Sequence, residues 1–260
     1  MDADRAHAFV ARCLSEPAFL AAPRADETAV FEGADLKKLA LFAGFITKVK
    51  HNPLRTVLPC TFRLLALLGA EIDFFAAYAP AFAEERAQGA LSDQRRIELL
   101  GRQLDDFVAE RPAEMRALLR GVLLHESTVH RLTTTADAPD FGPGKALRWR
   151  GGAAFNRYGV DVGRACAALR ARRFDFATDV VLREQILLYR RMPDRAEVAF
   201  FEADELTWLL LSLVDGRRSA HDVAAAVAAL GFGELVPARV EEFFADAAAQ
   251  GFITSGAACA

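Results

Sequence analysis

The pattern of apolar positions divides the chain near residue 135. Before that point, apolar residues recur every three or four positions, which is typical of amphipathic helices. The pattern predicts six helices, over residues 4–14, 35–51, 53–68, 72–79, 92–110 and 113–132. Pro59 lies inside the third of them, where its missing amide donor should kink or restart the helix near Val57. We therefore expect an all-α helical domain over residues 1–134.

The second helix has an unusually broad apolar face. Leu39, Ala43 and Ile46 follow one line along it, while Phe42 and Phe45 follow an adjacent one. A face of this width predicts a central helix that packs on more than one neighbour.

The sequence of the rest of the chain predicts a linker, then strands, then three closely spaced helices. Prolines and glycines interrupt the weak periodicity of residues 135–160, which predicts a linker. After a short helix over 161–170, residues 180–189 and 197–202 are rich in strand formers, and residues 174–176 are a candidate third strand. Caps at Asp204 and Ser219 and a proline at Pro237 begin the helices. We predict a winged-helix-like domain with a small antiparallel sheet over 161–260, and hence an α+β fold.

Composition narrows the class of protein. The chain has 260 residues, 53% of them apolar and 26% charged, which excludes a disordered polymer. The net charge of -3 opposes a protein that depends on phosphate contacts. No window approaches about 18 uninterrupted apolar residues. The acidic start, Met1-Asp2-Ala3-Asp4, lacks the positive region of a secretory signal, so we expect a cytoplasmic protein.

The candidate chemistry is sparse. The four cysteines, Cys13, Cys60, Cys166 and Cys259, are too scattered to predict a disulfide framework or a zinc site. No phosphate loop, dinucleotide fingerprint, metalloprotease motif or nucleophile elbow is present in the sequence.

The histidines add little to this picture. His125 and His130 are five residues apart, a spacing that puts them on different sides of a helix. His51 ends the second helix beside lysines, as an ordinary cationic cap would. We expect a non-catalytic chain without a metal or cofactor of its own.

A basic cluster lies on the second and third helices of a chain that is acidic overall. Charge runs usually mark a solvated face, and that interpretation stays open. The other interpretation is a docking face for an acidic partner, since complementary charge orients association. The predicted docking residues are Lys48, Lys50, Asn52, Arg55 and Arg63.

Two functions fit the C-terminal domain. A DNA-binding regulator with a helical dimerisation domain would place its third helix in the major groove, but that helix has Arg239 against Glu241, Glu242 and Asp246. Alternatively, an extended peptide adds to an edge strand and lies against the third helix. The predicted peptide-binding residues are Val198, Ala199, Phe200 and Phe201 on the strand, and Val240, Phe243, Phe244 and Ala247 on the helix. The phenylalanines could equally form the domain core.

Four C-terminal segments carry a resemblance to a known family. They are ILLYR at 186–190, VAFFE at 198–202, DELTWLLLSLVDGRRS at 204–219 and GFI at 251–253. Together they resemble the peptide-recognition domain of ribosomal-peptide maturation systems, which has the fold of the pyrroloquinoline quinone chaperone. The resemblance implies that a leader peptide adds as a strand to the sheet edge and lies against the third helix.

The N-terminal half carries a second resemblance. Its segments LALFAGFITKVKHNPLRTVLPCTFRLL at 39–65 and IDFFAAY at 72–78 resemble the helical partner proteins of multinuclear non-haem iron oxidative enzymes, above all the small subunit of the methanobactin maturation complex.

This second resemblance implies a heterodimer. Its iron-containing partner would oxidise cysteines of a precursor peptide to oxazolone and thioamide groups, which are the copper ligands of methanobactin. This chain would bind the leader and hold no iron itself. Related partners serve other cysteine-modifying enzymes, so that alternative stays open, and an autonomous enzyme would require activity from the purified chain alone.

Overall fold

The computed structural model describes residues 35–135, 146–192, 197–231 and 237–254, together with residues 9, 11 and 12. Within them the fold is α+β, as predicted, with ten α-helices and two small antiparallel sheets. The chain forms two compact units, one from residues 1–127 and 162–181, the other from 128–161 and 182–260. The helix predicted over 4–14 lies largely outside the described residues. None of the described helices is long and apolar enough for a membrane span.

The described part of the first unit consists of helices. They are α1 (Leu36–Lys50), α2 (Pro59–Leu67), α3 (Glu71–Ala87), α4 (Asp93–Phe107), most of α5 (Ala113–Thr134), α6 (Val162–Arg170) and α7 (Phe176–Asp179), with a 3-10 turn at Asn52–Thr56. Side-chain oxygens cap α1 and α4, because Asp35 accepts a hydrogen bond from the Lys38 amide at 3.1 Å and Ser92 accepts one from the Arg95 amide at 3.2 Å.

Pro59 restarts the chain as predicted. The 3-10 turn ends at Thr56, and α2 then begins at Pro59 itself, in a position where a helix needs no amide donor. By contrast, α3 extends past its predicted end at residue 79 and contains Pro80. Phe74, Phe75 and Tyr78 are buried in the turns before that proline, and their packing outweighs the lost hydrogen bond.

Helices α1 and α3 approach each other closely at Gly44. A Cβ atom at this position would lie 2.6 Å from the backbone nitrogen of Ala76 and 2.8 Å from the carbonyl oxygen of Ile72. The absence of a side chain therefore sets the distance between these two helices.

The second unit combines five strands with three helices. The strands are β1 (Arg148–Trp149), β2 (Ala153–Tyr158), β3 (Gln185–Arg191), β4 (Val198–Ala203) and β5 (Ile253–Thr254), and the helices are α8 (Glu205–Ser212), α9 (Ala220–Ala229) and α10 (Pro237–Ala249). One sheet has the order β2-β3-β4 and the other pairs β1 with β5, all antiparallel. Their common core consists of side chains from both sheets and all three helices, among them Leu188, Leu210, Val223, Val227, Val240, Phe244, Phe252 and Ile253.

Three sequence predictions differ from the structure here. The span 135–160 contains β1 and β2, so its described part from residue 146 is sheet rather than linker. Strand β3 begins at Gln185 rather than at residue 180. The candidate strand over 174–176 is wrong, because the Asp175 carboxylate accepts hydrogen bonds from the Ala177 amide at 2.7 Å and the Thr178 amide at 3.3 Å and thereby begins α7.

Candidate functional site

Strand β4 ends the three-stranded sheet in the described part of the chain. Its register pairs Val198 with Arg191 and Ala203 with Ile186. Beyond this ladder, the Met192 amide donates to the Glu197 carbonyl at 2.9 Å. This bond makes residues 192 and 197 a hydrogen-bonded pair of the antiparallel ladder.

Hydrogen-bonded and non-bonded pairs alternate along such a ladder. Ala199 and Phe201 therefore exchange backbone hydrogen bonds with β3. The amide and carbonyl groups of Val198 and Glu202 point away from β3, toward the outer edge of the sheet.

Two phenylalanines on β4 stay accessible on opposite faces of the sheet. Phe200 is 39% exposed and Phe201 is 48% exposed. Phe201 is paired with the core residue Leu188, and its ring centroid lies 6.3 Å from that of Phe252. Phe200 lies on the other face, with its ring centroid 6.0 Å from that of Tyr189. Half-exposed aromatic rings on a terminal strand provide an apolar surface for a further chain segment.

A charged network holds the end of β4 in place. The Arg183 guanidinium donates to the Asp161 carboxylate at 2.8 Å and to the Glu202 carboxylate at 2.5 Å. The Gln185 side chain also donates to Glu202, at 3.2 Å. The hydrogen bonds from Arg183, and then from Gln185, lower the pKa of Glu202 to about 2. Sequence reasoning missed this network, because its members lie in three separate segments.

The groove predicted on α10 is wrong for three of its four residues. Val240, Phe244 and Ala247 are buried in the core of the second unit. They share one face of the helix by their spacing of four and three residues, and that face packs on the rest of the unit. Phe243 is only partly buried and packs against this core. It is the one predicted groove residue with accessible surface.

The outward side of α10 carries charge. Arg239, Glu241, Glu242 and Asp246 are all exposed. Arg239 is paired with Glu242 at 3.5 Å, which leaves the carboxylates of Glu241 and Asp246 to dominate that surface. Such a helix repels nucleic-acid phosphates.

The predicted docking cluster has a structural role in the first unit. Lys48 forms an ion pair of 2.7 Å with the buried carboxylate of Glu71, and Arg55 pairs with the same carboxylate. Arg55 also donates to the Asn52 side chain at 3.1 Å. These contacts tie α1, the 3-10 turn and α3 together, so Lys48 and Arg55 are matched within the chain. Lys50 is exposed, and Arg63 is partly buried on α2.

The exposed side of α1 has an apolar stripe. Phe42, Phe45 and Val49 are exposed, and the rings of the two phenylalanines stack with centroids 6.5 Å apart. The opposite side, with Ala43 and Thr47, is buried. The prediction of packing on more than one neighbour is therefore wrong for the Phe42 side within the described residues.

His51 is neutral rather than a charged helix cap. It is fully buried, with Nδ1 2.8 Å from the Thr47 carbonyl and Nε2 3.0 Å from the Tyr78 hydroxyl. A carbonyl only accepts, so Nδ1 carries the proton and Nε2 accepts from Tyr78. Burial lowers the pKa of His51 to about 4. Burial likewise lowers the pKa of His125 to about 4.

A buried carboxylate caps the first turn of α2. Glu126 accepts hydrogen bonds at 2.8 Å each from the amides of Cys60 and Thr61 and from the Thr61 hydroxyl. Burial raises the pKa of Glu126, and these three donors oppose that shift. A side chain 65 residues away in sequence thus replaces the local cap that Leu58 cannot supply.

Residues 35–135, 146–192, 197–231 and 237–254 contain no group of three or more histidine, cysteine or acidic side chains arranged to hold a metal ion. Neither the comparison with protein-family models nor that with curated proteins gives a match. The β4 edge, with its exposed phenylalanines and its anchored end, is therefore the candidate functional site on geometry alone.

Proposed function

We propose that this chain is the non-catalytic subunit of a heterodimeric iron-dependent oxidase and that it binds the leader of a ribosomally made precursor peptide. The observation that carries the proposal is the position of β4, which ends the described sheet and presents half-exposed phenylalanines. The two sequence resemblances supply the class of peptide and of partner.

Leader binding would proceed by strand addition. The outward amide and carbonyl groups of Val198 and Glu202 are spaced as an extended peptide requires, and main-chain bonds to them provide affinity. Alternate side chains of the peptide would contact the apolar surface of Phe201 and Phe252 on one face of the sheet. Of the four residues predicted to form a groove on α10, only Phe243 is accessible to the peptide.

The bound leader would present the cysteines of the precursor to the partner. The partner's iron supplies the oxidation that converts these cysteines to oxazolone and thioamide groups. Holding the substrate at the partner lowers the entropic part of the barrier without any reacting group from this chain. The same geometry suits a partner that modifies cysteines in another way.

The exposed apolar side of α1 supports a docking role for the first unit. Phe42, Phe45 and Val49 form an apolar stripe, and exposed apolar surface of this kind marks protein contacts. Of the basic residues predicted to dock the partner, Lys50 would lie beside this interface. Lys48 and Arg55 would hold α1 in position through their ion pairs with Glu71. We place the complex in the cytoplasm.

Co-expression with the products of the neighbouring genes tests the proposal. We expect an iron-containing oxidase to co-purify with this chain and a Phe42→Ser/Phe45→Ser variant to lose it. Leu230→Ser, which changes an exposed leucine at the end of α9, serves as the matched control and should retain the partner. A chain that takes up neither an iron protein nor the precursor peptide would overturn the proposal.

A further inference from the structure

An open cavity of about 280 Å³ lies between α2 and the end of α6 in the first unit. Its walls are Pro59, Cys60, Arg63, Leu169, Arg170 and Arg172. Three of these six residues are arginines and none is acidic. The volume is near the lower end of the range for small-molecule pockets, which starts at about 300 Å³.

No described carboxylate forms an ion pair with Arg63, Arg170 or Arg172, although ion pairs involve many other arginines of the chain. Arg170 and Arg172 are exposed, whereas Arg63 is partly buried. The Nε atom of Arg63 is buried and has no hydrogen-bond partner among the described groups. A buried guanidinium donor without an acceptor is costly, and a bound oxyanion would satisfy it.

The backbone amides in the first turn of α2 are not available to bind an anion in this cavity. The carboxylate of Glu126 already accepts the amides of Cys60 and Thr61 in that turn. The lining side chains that can still donate are therefore the guanidinium groups of the three arginines, and the planar fork of a guanidinium matches the oxygens of a phosphate.

The walls are held in place by the fold. The Cys60 thiol donates to the Cys166 carbonyl at 3.7 Å, which ties α2 to α6. Arg172 follows the end of α6 with a φ of 57°, in the left-handed region that favours glycine. Glycine would be less strained at position 172. The chain nevertheless has an arginine there, which places a guanidinium beside the cavity.

We propose that this cavity binds the phosphate group of a small phosphate monoester. Three guanidinium groups suit a dianion better than a single carboxylate, and Pro59 and Leu169 provide an apolar wall for the rest of a small ligand. The site is independent of the leader-binding surface, so either proposal stands or falls without the other.

Calorimetric titration of the full chain at constant ionic strength tests this assignment. The probes are inorganic phosphate, glycerol 2-phosphate, acetate and chloride. We expect both phosphates to bind and acetate, a single carboxylate, to bind at least tenfold more weakly. No binding of phosphate beyond that of chloride, or equal binding of acetate, overturns the proposal.

Phosphate binding by variants distinguishes a specific site in the cavity from nonspecific attraction to positive surface charge. Arg63→Gln and Arg172→Gly should each weaken phosphate binding about tenfold or more, because each removes a charge-assisted contact. Arg172→Gly also relieves the left-handed backbone, so unfolding cannot explain its loss of binding. Arg86→Gln, at the exposed end of α3, should stay within twofold of the wild type. An equal effect of Arg86→Gln would show nonspecific attraction and contradict the proposal.

Discussion

Phe201 on the terminal strand β4 contacts Phe252, whose ring centroid lies 6.3 Å away and which follows α10. Phe252 is buried in the core of the second unit, whereas Phe201 is about half exposed. The pair therefore extends the apolar core to the outer edge of the sheet. A peptide strand added to β4 would continue this packing, which makes Phe201 the side chain on which leader affinity should depend most.

Replacing Phe201 should weaken leader binding while the fold persists. Phe201→Thr keeps a strand-forming residue and removes the ring, so we expect at least a tenfold loss of affinity. The free energy of unfolding should fall by no more than about 1 kcal/mol, because half of the ring is already in water. Fluorescence anisotropy with a labelled leader measures the affinity. Leu182→Thr, at another exposed position of the second unit, is the control and should bind as the wild type does.

Prolines on β4 should distinguish the two edges of the strand. Val198→Pro removes an amide that points away from β3, so the fold should persist and leader affinity should fall. Ala199→Pro removes an amide that bonds to β3, so it should destabilise the sheet itself. Urea unfolding and leader anisotropy on both variants check this. If Ala199→Pro is as stable as Val198→Pro, the assigned hydrogen-bond pattern is wrong.

The sequence predicted the helices, the fold class and the strand β4, and it missed what depends on tertiary contacts. Local signals such as Asp35, Ser92 and Pro59 mark helix starts, and the structure uses all three. The periodicity of α10 revealed an apolar face, but only the packed structure shows that Val240 and Phe244 are core. Likewise, the lysine and arginine cluster gave no sign that Glu71 neutralises two of its members. The Glu126 cap joins positions too far apart for any spacing rule.

Gly44 and Gly101 should respond oppositely to alanine. Both lie inside helices, where alanine is favoured by about 1 kcal/mol in the absence of other contacts. A Cβ at Gly44 would meet backbone atoms of α3 at 2.6 Å, whereas one at Gly101 would meet only the Leu123 side chain at 3.8 Å. Gly44→Ala should therefore destabilise the protein by about 2 kcal/mol or more, and Gly101→Ala should be neutral or stabilising. Urea unfolding compares the two, and a stable Gly44→Ala variant would contradict the close helix contact.

Acid should weaken the fold through His51. Its pKa is about 4 in the folded protein and 6.5 as a free side chain, so the unfolded state binds more protons between these values. Above pH 6.5 His51 is neutral in both states and does not reduce the free energy of unfolding. As the pH falls toward 4, the free energy of unfolding decreases by a total of about 3 kcal/mol. His51→Gln should make this part of the stability profile less steep and leave the share that His125, whose pKa is lowered equally, contributes. Urea unfolding between pH 7 and pH 4 tests it, and an unchanged slope in the variant would exclude His51 as the cause.

Removing the Glu126 carboxylate should destabilise α2. Glu126→Ala leaves the buried amides of Cys60 and Thr61 without their acceptor, at a cost of about 2–4 kcal/mol. Glu126→Gln retains one acceptor oxygen and should lose less. Thermal unfolding of both variants ranks them. An alanine variant as stable as the glutamine variant would show that the cap contributes little.

Hydrogen–deuterium exchange with and without the leader tests strand addition to β4 most directly. The full chain would be compared in the presence and absence of a saturating synthetic leader of the precursor encoded beside it. Strand addition predicts at least tenfold slower exchange of the outward-pointing amides within residues 198–202, because each gains a main-chain acceptor. The amides of α4 should exchange at the same rate in both samples. A leader that binds without slowing exchange in residues 198–202, or that does not bind at all, would contradict the account.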